Sequence, residues 1–139
     1  MKLSWIVLVA ALAVSCRSDL TTPTVPLSVN VSAHSVDGAA LPAWIEERPG
    51  AGAHLTEYHL SLTSDGTWTA DGYRYPDNTA PTTLLELTDN GTYEFDGASL
   101  TLHSNLTHTN WASTVRGDTI TAAVWFPIAN ASHVVVLWP

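Results

Sequence analysis

Ser61-Leu-Thr-Ser-Asp-Gly-Thr-Trp-Thr-Ala-Asp-Gly72 and Glu86-Leu-Thr-Asp-Asn-Gly-Thr-Tyr-Glu-Phe-Asp-Gly97 set down one short pattern twice. In each copy an apolar residue (Leu62, Leu87) leads into a turn dipeptide. Its glycine (Gly66, Gly91) accepts the positive φ of a two-residue primed turn. A threonine and an aromatic then open the return strand, Thr67-Trp68 and Thr92-Tyr93. A second Asp-Gly pair, Asp71-Gly72 and Asp96-Gly97, marks the next reversal after a few residues. The stretch therefore predicts two hairpins inside an antiparallel meander of short strands.

The flanking sequence continues in the same manner. Leu27, Val29, Val31 and Ala33 alternate with polar residues as far as the turn Asp37-Gly38, and Leu41 and Ile45 share a face that Trp44 leaves. Glu46-Glu-Arg-Pro-Gly-Ala-Gly52 reads as a loop at a barrel mouth, and Pro76 to Pro81 as a second. From His54 to Thr63, Tyr58, Leu60 and Leu62 point one way, and Glu57, His59 and Ser61 the other. Beyond the repeat, Leu100 and Leu102, and then Ile120, Ala122, Val124 and Phe126, form inward sets around the turn Gly117-Asp118. The last segment, Val134 to Trp138, is nearly continuously apolar, as in a strand covered on both faces. After Cys16 no window of ten residues has a helical period with caps. The fold class is all-β. About 8 to 10 short strands in an antiparallel up-and-down meander barrel are expected, since sequential hairpins form a meander and closure removes exposed edges; a β-sandwich is the alternative.

With 139 residues, 45% of them hydrophobic and 13% charged, the chain suits a single core. Its net charge of −8 leaves nothing to replace the counterions of a phosphate backbone, so nucleic acid is not an expected partner. Cys16 is the only cysteine, which excludes an internal disulfide and cysteine-based zinc clusters.

Met1-Lys2 precedes the mostly apolar stretch Leu3 to Val14, too short for a spanning helix, which needs about 20 residues. It ends in Leu12-Ala-Val-Ser-Cys16, with small Ser15 before the cysteine. This segment resembles the bacterial lipoprotein family, whose lipobox cysteine is lipidated and becomes the first mature residue; Ala13 stands where leucine is commonest. The resemblance implies a signal peptide over 1–15 and acyl chains such as palmitate on Cys16. Residues 17–26 are polar and carry two prolines, so 16–26 reads as the lipidated cysteine and a tether, which would hold the barrel domain expected over 27–139 at the cell envelope, at the outer membrane or on the periplasmic side.

The order of Val36-Asp-Gly-Ala-Ala-Leu-Pro42, Leu60 to Trp68, Asp89-Asn-Gly-Thr-Tyr93, Ser99-Leu-Thr-Leu102 and Gly117-Asp-Thr-Ile120 is similar to the small lipocalin-like domains of bacterial lipoproteins. That similarity implies a calycin-type meander barrel. Gly66-Thr67-Trp68 matches the Gly-x-Trp of true lipocalins but follows at least two strands, where theirs lies on the first, so no lipocalin ligand site is carried over.

Among candidate sites, Trp44, Tyr73 and Tyr75 adjoin the two long loops and are the expected lining of a mouth for an apolar ligand. Aromatics equally serve as core, and an eight-stranded barrel is wide enough either to be filled or to hold one small ligand. Of six histidines, His54 and His59 are five apart and fall on opposite faces of a regular strand, whereas His103 and His108 flank a loop. No supporting carboxylate is spaced for a metal site there, so neither metal nor cofactor is expected. Glu57 and His59 share a face as a general base and its partner do, but no nucleophile elbow, phosphate loop or paired carboxylates accompany them. No catalytic residue is assigned. The expectation is a non-catalytic, membrane-tethered binding module for a small apolar ligand or an envelope partner, the alternative being a structural protein with a filled barrel.

Overall fold

Antiparallel strands account for most of the chain in the computed structural model, which describes residues 25–48, 51–77, 82–126 and 131–139. In order they are β1 (Val29–Val36), β2 (Ala39–Ala40), β3 (Ala43–Arg48), β4 (Ala51–Leu62), β5 (Thr67–Pro76), β6 (Leu85–Phe95), β7 (Ser99–Ser104), β8 (Asn110–Arg116), β9 (Thr119–Phe126) and β10 (Ala131–Trp138). From β4 to β10 each strand pairs with the next. β1 closes the sheet by pairing with β10 through Val36↔Val135 and with β4 through Val29↔Leu62 and Ser32↔His59. The result is a closed, lipocalin-like up-and-down barrel of eight strands, not a sandwich, with no helix among the described residues. Above Ser32, β1 and β4 diverge. The segment carrying β2 and β3 fills the wedge, β2 pairing with β1 and β3 with β4 through Ala43↔Leu55 and Ile45↔Ala53. The Glu46–Gly52 span is thus largely strand, contrary to the loop expected from its composition; 49 and 50 lie outside the described residues, as do 78–81, 127–130 and the 1–24 segment with Cys16.

The repeat is two half-matches. Gly66 and Gly97 sit in turns with φ of 85° and 105°, and Asp37-Gly38 is a primed turn with both residues at positive φ. Gly72 and Gly91, expected to reverse the chain, are mid-strand and point inward. β6 therefore runs unbroken for 11 residues where a hairpin was predicted at Asn90-Gly91. Both glycines serve close approach: a side chain on Gly72 would strike the Glu57 carbonyl and Tyr58, and one on Gly91 the His103 carbonyl and the Trp68 indole.

Inward residues fill the lower barrel. Trp68, Leu60, Leu62, Tyr93, Leu100 and Leu102 are buried there, with Trp68 packed on Trp111 at 4.9 Å between ring centres. The floor is laced by Tyr93, whose hydroxyl donates to the Thr63 carbonyl (2.8 Å) and accepts the Leu27 amide (2.8 Å), while the Val25 amide donates to the Phe95 carbonyl. β10 departs from expectation on its outer side: Val134 is 49% and Trp138 37% exposed, so only one of its faces is covered.

Three carboxylates tie turns and rims together. Asp65 accepts from the Thr63 and Thr67 hydroxyls and the Thr67 amide, and Asp96 from the Ser99 and Ala98 amides, which lowers the pKa of both. Burial opposes ionisation of Asp37, but hydrogen bonds from His133 (2.7 Å) and the Val134 amide (2.8 Å) leave its pKa lowered as well. Groups whose folded pKa is depressed contribute stability that is full above the unfolded value, about 3.9, and is lost as pH falls through the folded one. The urea midpoint is therefore expected to hold between pH 7 and 5 and to fall steadily below about pH 4, with Asp37→Asn showing a smaller acid loss than wild type.

Candidate functional site

Strand lengths open the wall. β7 meets β6 only from Ser104↔Gly91 downward, and β8 meets β9 only from Ser113↔Ala122 downward. Above these points Leu85–Asn90 pair with β5 alone and Ala123–Phe126 with β10 alone, among the described residues. β6 and β9 thus stand as two posts either side of the shorter β7–β8 hairpin, about three strand spacings or 14 Å apart.

Behind the notch lies a cleft of about 290 Å³, at the lower end of ligand-pocket sizes. Its inner surface is Tyr58, Leu87, Trp111, Val124 and Phe126, with Tyr58 and Phe126 meeting edge to face at 5.8 Å. Glu86, Thr88, Trp125 and the 60% exposed Leu106 form the rim. One carboxylate points in. Asp89 shares the inward parity of Leu85 and Leu87, and accepts the Ser104 hydroxyl on one oxygen (2.7 Å) and the Asn90 amide on the other (2.7 Å). The buried Tyr58 hydroxyl has its pKa raised far above the phenol range, by burial first and then by the charges of Asp89 and Asp71, so it stays a neutral phenol.

Trp44, Tyr73 and Tyr75 stand elsewhere. Trp68, Ala70, Gly72 and Arg74 take the inward positions of β5, and Ala43 and Ile45 those of β3. All three aromatics are therefore on the outer wall and line no lumen. There His54 stacks on Tyr75 at 4.8 Å and bonds Asp77 at 2.9 Å, with Trp44 its partner on β3. His54 and His59 share this outer face, contrary to the parity argument, because a bulge between Leu55 and Glu57 inserts one residue. Glu57 and His59 are 3.8 Å apart and about half exposed, and His59 bonds the Ser32 hydroxyl with its other nitrogen. His103 engages Asn110 and faces Glu94. No three histidine, cysteine or acidic side chains gather to hold a metal among the described residues.

Alternation in the sequence places Tyr58, Val124 and Phe126 on inward faces without marking a recess among them, and Asp89 stands beside the turn expected at Asn90-Gly91. An acid at the inward parity of β6 was the one signal that could have singled the place out. The chain matches no family model, no curated protein and no solved structure.

Proposed function

We propose that this chain is a non-catalytic binding domain of the bacterial envelope, held at a membrane by acyl chains on Cys16, whose cleft between β6 and β9 takes a small apolar ligand. The cleft carries the reading: an apolar recess beside a wall opening, in a barrel whose lower half is otherwise solid. The apolar segment 3–14 ahead of Ser15-Cys16 supports the anchor. Val25 joins the barrel at its floor beside Phe95, the end away from the cleft. The half-exposed Glu57 and His59, beyond hydrogen-bond distance of each other, support a domain that binds without turning its ligand over. A structural protein is the second reading, favoured by that solid lower half.

Native mass spectrometry of the full chain with 1-decanol separates the two. One adduct is expected on wild type and none on Leu87→Trp, whose indole would occupy the recess opposite Gly72. A bare wild-type mass at saturating decanol would leave the filled-barrel reading standing. For the anchor, Cys16→Ser is expected to yield a folded but unacylated protein, and recovery of the same acylated membrane species would refute lipidation.

A further inference from the structure

The cleft combines aromatic faces with negative charge. Tyr58, Trp111 and Phe126 present rings, and among the described residues the ionisable side chains lining the recess apart from Tyr58 are the acids Asp89 and Glu86, with no lysine or arginine. Arg74, the one buried arginine among the described residues, stands on the β5 wall two inward positions above Ala70, the partner of Asp89. A neutral hydrocarbon would leave the inward Asp89 carboxylate with only its Ser104 and Asn90 donors, although each carboxylate oxygen accepts two. An anion would meet like charge in a recess of low dielectric. A cation whose charge is spread over methyl groups gains from both features, since aromatic faces attract it and it loses little hydration on entry.

We propose that the ligand of this cleft is an apolar molecule bearing a quaternary ammonium group, its cationic head between Asp89 and the rings of Tyr58, Trp111 and Phe126. The proposal rests on the binding reading above and adds the chemistry of the head. Tyr58 and Phe126, inclined at 71° to each other, form two walls of a cage, and Trp111, braced from below by Trp68, is the base. Asp89 is oriented by Ser104, itself buried on β7. Free choline and a choline-type lipid headgroup share this chemistry. The Leu87 and Val124 surfaces beside the rings give an alkyl chain additional contact, which favours the chain-bearing form.

Isothermal titration of the full chain with decyltrimethylammonium, 1-decanol, decanoate and choline tests this. The cationic amphiphile is expected to bind about tenfold or more tighter than decanol, with decanoate weakest. Asp89→Asn is expected to bring the cationic and neutral ligands within about threefold of each other while decanol binding persists. Choline binding as tightly as decyltrimethylammonium would assign the site to the free headgroup and overturn the chain-bearing form. Equal affinity for cation and alcohol in wild type, or a preference that survives Asp89→Asn, would overturn the ammonium assignment and leave the apolar cleft standing. Failure of all four ligands would sink both readings. The wild-type ranking decides the matter even if Asp89→Asn does not fold.

Discussion

Gly91→Ala is expected to destabilise the barrel by about 3 kcal/mol, a fall of roughly 10 °C in Tm for a domain of this size. Gly91 does not have the left-handed φ of the turn glycines, so the cost comes from space and not from strain. The added methyl would run into the His103 carbonyl on β7, a backbone atom held by the ladder, and would press the Trp68 indole at 3.0 Å. Gly66→Ala is the informative comparison. Gly66 has φ of 85° but nothing within 4 Å of an added methyl, so its cost is conformational only, about 1 to 2 kcal/mol. Thermal unfolding of the two variants orders them. A turn at Gly91 would reverse the order, and would also contradict the continuous β6 on which the cleft depends.

Trp68→Ala is expected to cost about 4 kcal/mol, or roughly 15 °C. Trp68 is 1% exposed, tilts against Trp111 and donates its indole N–H to the Thr92 carbonyl at 3.0 Å. Removing it opens a void in the filled half, leaves that carbonyl without its side-chain donor, and takes the support from under a ring that lines the cleft. Trp68→Phe keeps much of the packing but not the hydrogen bond, and is expected to fall between. A loss under 1 kcal/mol for the alanine variant would show that the lower barrel is not packed around this residue.

These two residues also show what could be read from the chain alone. Simple alternation turns Trp68 inward, as it does Leu60, Leu62, Leu100, Leu102, Ile120, Ala122, Val124 and Phe126, all of them buried, because the two-residue period of a strand needs no knowledge of its partner. Gly91 lies mid-strand where Asn90-Gly91 suggests a turn, because a glycine after Asn serves either a primed turn or a tight approach between neighbours, and local sequence does not separate them. The same limit displaced the candidate site. Trp44, Tyr73 and Tyr75 are aromatic and close to long connections, but strand parity turns them outward, and parity across β4 is itself shifted by the bulge at Leu55–Glu57. The cleft arises from a mismatch in length: β6 spans 11 residues and β7 only 6, so the wall is interrupted above Ser104. Such a mismatch appears only once pairing is known. Asp89 gains its meaning at the same moment, since its inward position follows from reading β6 as one strand.

The proposed binding domain is filled below Trp68 and Trp111 and takes its ligand above them. Side-chain nuclear magnetic resonance of the full chain titrated with 1-decanol distinguishes the two halves. Saturable shifts are expected at Tyr58, Leu87, Trp111, Val124 and Phe126 alone, with Leu62 and Leu100 unmoved. Shifts centred on Trp44, Tyr73 and Tyr75, or none at saturating ligand, would rule out binding in this cleft.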